Sequence, residues 1–226
     1  RDIEKHWRLL YQAYARFGGK GAEIRALSAV DVALWDLLGK SLDAPVHRLL
    51  GTAHNAVPTY NTCGGPLYAS VEGGSQAGYG SSRRYGELDD FDAFLNAPAD
   101  LARDLVSEGA RGMKIWPFDR FAQEKGGRAI DPEDLAAGMK IVQDIREAVG
   151  SDIEIMIDGH GLWDLGPAIR IARALEPYDI AWTEDLILAD KPRALARLRQ
   201  ASSVPVSVSE YLVTRDQYLP VLEQDA

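Results

Sequence analysis

Three acidic residues close short, apolar-rich segments at one fixed interval. DIEIMID ends in Asp158, IAWTE ends in Glu184 and VPVSVSE ends in Glu210, and both intervals are 26 residues. The first segment alternates Ile153, Ile155 and Ile157 with Glu154, Met156 and Asp158, which is the period of a strand. A constant interval of this length holds a strand, a loop, a crossover helix and a second loop, so it predicts a parallel sheet built from repeated β/α units. A single acid at a strand end can cap the next helix. Three at matching ends predict carboxylates meeting at one rim, the face on which (β/α)8 barrels carry their sites. Converging carboxylates repel one another and call for a hard divalent cation; Mg2+ suits them, because it accepts a few carboxylates and keeps positions for water and substrate oxygens. The expected metal ligands are therefore Asp158, Glu184 and Glu210.

With 226 residues, 46% of them apolar, the chain can bury a core of one large or two small domains. A net charge of −9 and a pI near 5.0 argue against a nucleic-acid or membrane-surface partner. No apolar run approaches the roughly 20 residues of a membrane span, and the charged start RDIEKHWRLLYQ has no secretory pattern. Cys63 is the only cysteine, which excludes an intrachain disulfide and makes the cytoplasm the default location. It reads as a passive small residue rather than a nucleophile.

Along the chain, Ile3 to Phe17 has helical spacing and ends at Gly18 and Gly19, with His6 beside its apolar stripe. Ala22 to Leu38 is a second helix, with Ile24, Leu27, Val30, Leu34, Trp35 and Leu38 as core candidates and Gly39 closing it. Pro45 to Leu50 adds one helical turn. Residues 1–55 are read as a helical unit and 56–226 as the β/α unit. Val57 to Thr62 is the first candidate strand, with Tyr60 and Asn61 near its functional end as substrate contacts. The glycine-dense stretch from Cys63 to Gly86 lacks a phosphate-loop pattern and reads as a lid or disordered segment, in which Arg83 and Arg84 could meet an anionic substrate. Asp100 to Ser107 is a helix, Gly112 to Trp116 the second strand and Pro117 to Ile130 a loop. A helix capped by Asp131 and Pro132 then runs to Val149, followed by helices over Pro167 to Leu175, Pro192 to Ala201 and from Arg215 onward.

The stretches RALSAVDVALWDLLGK, GARGMKIW, IMIDGHGLWD, WTEDL and VPVSVSE, spanning about residue 25 to residue 212, resemble the enolase superfamily, in its mandelate racemase and muconate lactonizing enzyme branch. The resemblance implies a (β/α)8-type barrel behind a capping domain. The capping domain's usual N-terminal strands do not precede Arg1, and counting to Glu210 gives about five barrel strands, so an incomplete barrel is expected. The family's histidine base and its aspartate partner, on the seventh and sixth strands, would fall beyond Ala226. Open strand edges at VPTYN and VPVSVSE would then favour assembly with further strands or other copies, and a homo-oligomer is expected.

The resemblance also implies chemistry. Members abstract the proton next to a carboxylate, and the metal stabilises the charge that develops. The second strand commonly carries a Lys-x-Lys pair whose second lysine is a base. Here Lys114 matches the first lysine, with an electrostatic role toward substrate carboxylate or base. Trp116, which has no basic atom, takes the place of the second and becomes a pocket wall. Alternation puts Lys114 and Trp116 on one face of the strand. His160, two residues after Asp158 and on the same side, matches the histidine of acid-sugar dehydratases, suited to protonate a departing hydroxide. The reading is a Mg2+-dependent lyase that dehydrates an acid sugar to a 2-keto-3-deoxy acid, with His160 and Lys114 as catalytic residues and a small carboxylate as its partner. Two alternatives stand beside it: a racemase or epimerase of the same branch, and an inactive barrel fragment acting in binding or assembly.

Overall fold

The sheet that carries the three acid-bearing segments has four strands, β1 (Gly112–Ile115), β2 (Glu154–Asp158), β3 (Ile180–Glu184) and β4 (Val206–Ser207), all parallel and hydrogen-bonded in that order. The computed structural model describes residues 2–18, 21–54, 56–64, 89–208 and 210–226. The chain divides into two units, Arg1–Val57 with Val213–Asp216, and Pro58–Leu212 with Gln217–Ala226.

In the first unit, α1 (Ile3–Tyr14) starts at Asp2, whose carboxylate accepts the Lys5 N–H at 2.9 Å, and Trp7 stacks on Tyr11 one turn later. A 3-10 turn, Ala15–Phe17, extends it. Helix α2 (Ala22–Ser41) runs past Gly39, which does not close the helix as expected. Gly39 is buried because the Ala44 carbonyl passes 2.8 Å from where a Cβ would stand, so it serves close packing and not a cap. Of the six core candidates on α2, only Ile24 and Leu27 are buried, and Val30 is exposed. Helix α3 (Val46–Leu49) follows Pro45.

The second unit continues with α4 (Asp90–Asn96), α5 (Pro98–Ser107), β1, α6 (Asp119–Lys125), α7 (Pro132–Val149), β2, α8 (Leu165–Leu175), β3, α9 (Pro192–Ala201), β4 and α10 (Arg215–Glu223), whose last residues belong to this unit. Ile155, Met156, Ile157 and Asp158 are all buried, as befits a parallel strand covered on both faces rather than one with a wet side. Helix α7 buries Ile141, Val142 and Ile145 and stops at Gly150, whose φ is +56°. From its last turn the Arg146 guanidinium donates to the carbonyls of Tyr178, Gly150, Ile153 and Asp179 at 2.6–2.9 Å, tying the starts of β2 and β3 to the helix.

Three expectations need correction. The first candidate strand, Val57 to Thr62, is reduced to a single parallel bridge between Asn61 and Met113. The Asn61 N–H donates to Gly112 at 2.9 Å and its carbonyl accepts from Lys114 at 2.8 Å, while Pro58 has no N–H to offer. Four strands and a bridge therefore stand where five strands were counted. The second correction is that β4 is two residues long and ends before Glu210, which lies in a turn. Thirdly, the supposed loop from Pro117 to Ile130 contains α6, whose Phe121 and Ala122 are buried while Arg120, Gln123 and Glu124 face out, and which Gly126 ends in the left-handed conformation. The glycine-dense stretch, with Arg83 and Arg84, lies outside the described residues over 65–88.

Gly127 fixes how α6 meets the loop after β2. Its φ is +69°, and a Cβ there would stand 1.9 Å from the Leu162 carbonyl oxygen. Its N–H donates to Ala122 and its carbonyl accepts from Asp164, each at 2.9 Å. Gly127→Ala is expected to destabilise by about 3 kcal/mol or more, combining left-handed strain with displacement of backbone. Chemical denaturation measures it, and a loss under about 1 kcal/mol would mean that this backbone approach does not constrain the fold.

Candidate active site

The site begins with register. In the parallel pairing of β2 with β3, Asp158 lies beside Glu184, so two neighbouring strands end in adjacent carboxylates. Lys114 pairs with Met156, two residues short of Asp158, which puts its backbone about 6.6 Å lower along the sheet. The four-carbon stem closes that gap. Its ammonium lies 2.6 Å from Glu184 Oε1 and 2.9 Å from Asp158 Oδ2, and the three groups are 8%, 6% and 4% exposed. Burial pulls the Lys114 ammonium down, but the hydrogen bond to Glu184 and the nearby Asp158 charge more than reverse this, so its pKa lies above the usual lysine range. Trp182, two residues before Glu184 on the same face, donates from Nε1 to Glu184 Oε2 at 3.1 Å.

His160 follows β2 at a φ of +46°, with its N–H donating to Asp158 Oδ1 at 3.0 Å. Its Nδ1 lies 2.6 Å from Asp119 Oδ2 and 3.9 Å from Asp158 Oδ1. Burial lowers the imidazole pKa; the Asp119 hydrogen bond and charge, followed by the charges of Asp158 and Glu210, outweigh it and hold it at about 9. The Tyr211 hydroxyl donates to the His160 carbonyl at 2.8 Å. Trp116, just past β1, stands edge-on to the His160 ring at 5.6 Å, and also packs on Phe91 and Phe94 of α4. Lys114 and Trp116 thus both reach this rim, although the indole is shared with an outer helix and is nearly buried.

The structure brings Asp158, Glu184, Lys114 and His160 together. Glu210 stands apart in its exposed turn, although its charge acts on both His160 and Tyr211. Among the described residues no three His, Cys, Asp or Glu side chains are grouped to hold a metal. The Asp158 and Glu184 pair nevertheless fits a hard cation: it is all oxygen, buried, and already brackets one positive charge. Tyr60 lies near the site, its ring 5.7 Å from the Lys114 ammonium and edge-on to Trp182 at the same separation. Asn61 is engaged on both sides, donating to Asp90 Oδ2 at 2.9 Å and accepting from the Cys63 N–H at 2.6 Å, so it clasps protein groups.

This geometry can be set beside known proteins. Residues 97–226 match the family model described as enolase C-terminal domain-like, and residues 1–51 match the mandelate racemase/muconate lactonizing enzyme N-terminal domain. The chain belongs to the enolase superfamily, in its mandelate racemase/muconate lactonizing enzyme branch. An arabinonate dehydratase of Saccharolobus solfataricus is 30% identical over 99% of this chain and 50% of its own length. A mandelate racemase/muconate lactonizing enzyme-like protein of Rubrobacter xylanophilus superposes with a TM-score of 0.79 at 31% identity, covering 100% of this chain and 56% of that one. The L-talarate dehydratase of Polaromonas sp. JS666, solved with Mg and L-glucarate, gives a TM-score of 0.71 at 25% identity over 99% and 52%. This branch member spans about half the length of the curated relatives it matches. Its four-stranded parallel sheet with intervening helices fits part of a barrel. No described helix is long and apolar enough to cross a membrane.

Sequence reasoning missed Asp119, Trp182 and Tyr211. Trp182 was within reach, since a residue two before a strand-end acid shares its face. Asp119 carried no such signal, because α6 itself was read as loop. Cys63, by contrast, behaves as expected. Burial first, and then the charge of Asp90, pushes its thiol up to about 12. At pH 8 the thiolate fraction is then on the order of 10⁻⁴, and thiol reagents are expected to react only on unfolding. Stoichiometric labelling of the folded protein within minutes at pH 8 would overturn this.

Proposed function

We propose that the protein of which these residues form the site is an acid-sugar dehydratase, using Mg2+ to convert a sugar carboxylate to a 2-keto-3-deoxy acid. The observation that carries the reading is the pairing of a buried two-carboxylate cation site with a histidine held beside it by Asp119. Asp158 and Glu184, with Glu210 as third ligand, would hold the metal. A divalent cation there would supply electrostatic stabilisation of the negative charge that grows on the substrate carboxylate as its α-proton leaves.

The chain's own residues do the rest. Lys114 keeps a fixed positive charge against the two acids and is placed to steady the anionic substrate. A base removes the α-proton, and the C–H electron pair becomes the C=C bond of an enol. The C–O bond to the β-hydroxyl breaks with its electron pair on oxygen, and His160 protonates that oxygen, so water leaves. The enol then tautomerises to the keto acid. Tyr60 and Trp116 border the substrate side. Trp116 offers no second base, which favours elimination over racemisation.

Relatives named for dehydration of arabinonate and talarate support the same reaction type. The test is a screen of the protein in its full natural length, with Mg2+, against a library of acid sugars in D2O. Keto acid formed only with metal is the expected result. Deuterium washed into returned substrate of inverted configuration, without keto acid, would replace dehydration by epimerisation, and no turnover of any kind would favour a binding role.

A further inference from the structure

Asp119 exchanges no proton in the chemistry written above, yet it is the most completely buried acid of the site, 0% exposed. It opens α6, and its Oδ2 lies 2.6 Å from the Nδ1 of a histidine 41 positions later. Burying a carboxylate here is costly unless it is paired and hydrogen-bonded, so its place needs a reason. The rest of the His160 surroundings points to one. The Trp116 ring meets the imidazole edge-on with an interplanar angle of 83°, and Phe91 and Phe94 back that indole. Tyr211 holds the His160 carbonyl, and Asp158 holds its N–H. Backbone, ring plane and one ring nitrogen are all fixed.

We propose that Asp119 is a positioning residue, holding His160 with its Nδ1 proton on the Asp119 carboxylate and thereby making Nε2 the nitrogen that exchanges a proton with the substrate. This rests on the reading of His160 as the acid of dehydration. The chemistry follows from the partners. A carboxylate only accepts, so Nδ1 must be the donor in either ring state. When the imidazolium gives its Nε2 proton to the departing hydroxide, the N–H bond breaks, the O–H bond of water forms, and the neutral ring keeps Nδ1–H on Asp119. Without Asp119 the neutral ring can adopt the other tautomer or rotate, and the proton is then offered from the wrong place.

The experiment uses the full-length enzyme carrying Asp119→Asn and Asp119→Ala, with two readouts. Steady-state kinetics with Mg2+ should show kcat lowered by about 10–100-fold in Asp119→Asn, and further in Asp119→Ala, with KM within about threefold, since general acid catalysis contributes 10²–10⁴-fold and only its alignment is lost. NMR of 15N-histidine-labelled protein should show His160 protonated at Nδ1 with a downfield proton in the wild type, and that signal moved or lost in both variants. The isosteric asparagine variant keeps the test usable if alanine does not fold. Wild-type kcat in Asp119→Asn, or a wild-type His160 that is Nε2-protonated in its neutral form, overturns the proposal. If the wild type makes no keto acid from any acid sugar, the dehydratase reading fails by itself, and the NMR tautomer still decides whether Asp119 positions His160.

Discussion

Glu184→Gln is expected to abolish Mg2+-dependent turnover, lowering kcat/KM by on the order of 10³-fold or more, because electrostatic stabilisation by a bound cation supplies several kcal/mol of the barrier. The structure makes this residue exacting. Its two oxygens have separate partners, Oε1 on the Lys114 ammonium and Oε2 on the Trp182 indole N–H. An amide has one oxygen and one NH2 group, so one buried donor loses its acceptor, at a cost of about 1–3 kcal/mol. The change also leaves Asp158 as the one carboxylate on Lys114 among the described residues. The activity loss should therefore come with a modest drop in stability and, separately, a lost response to metal. Wild-type protein should gain thermal stability on adding Mg2+ through preferential binding to the native state, whereas the variant should not. A variant that keeps the Mg2+-induced shift in Tm would remove Glu184 from the ligand set, whatever its activity.

How much of this was legible beforehand depends on which interactions are local. The 26-residue interval carried the fold, because a β/α unit imposes its own length and a strand's period is written in its residues. Asp158 and Glu184 could be named for the same reason, since each ends a strand, whereas Lys114 was named from the family resemblance, and His160 from its place two residues after Asp158 together with that resemblance. What the sequence hid was set by partners far along the chain. The reach of β4 depends on its neighbours, and with β3 as its only partner among the described residues it stops at Ser207, leaving Glu210 beyond the ladder. The Val57 to Thr62 segment failed as a strand because only Asn61 finds matching groups on β1. Helix α6 is seven residues long, too short for a clear period, and is held by burial of Phe121 and Ala122. Asp119 stayed invisible with it, although its carboxylate lies 2.6 Å from the His160 ring nitrogen.

The role of His160 separates dehydration from its alternatives. His160→Gln should lower keto acid formation by about 10²–10⁴-fold, the usual range for an aligned general acid, while leaving exchange of the substrate α-proton with solvent measurable. The two steps draw on different groups. In the proposed reaction, loss of the α-proton would depend on charge stabilisation around Asp158 and Glu184 and on a base, whereas departure of hydroxide would depend on a proton from His160. Glutamine retains much of the side chain's size beneath Trp116, so the aromatic packing should survive, and the His160 backbone contacts to Asp158 and Tyr211 do not involve the ring. In D2O the variant should return substrate labelled at the α-carbon with almost no keto acid. Loss of exchange in step with loss of product would make His160 the base, or a support for the whole site, instead of the acid. Undiminished keto acid formation would remove it from the reaction altogether.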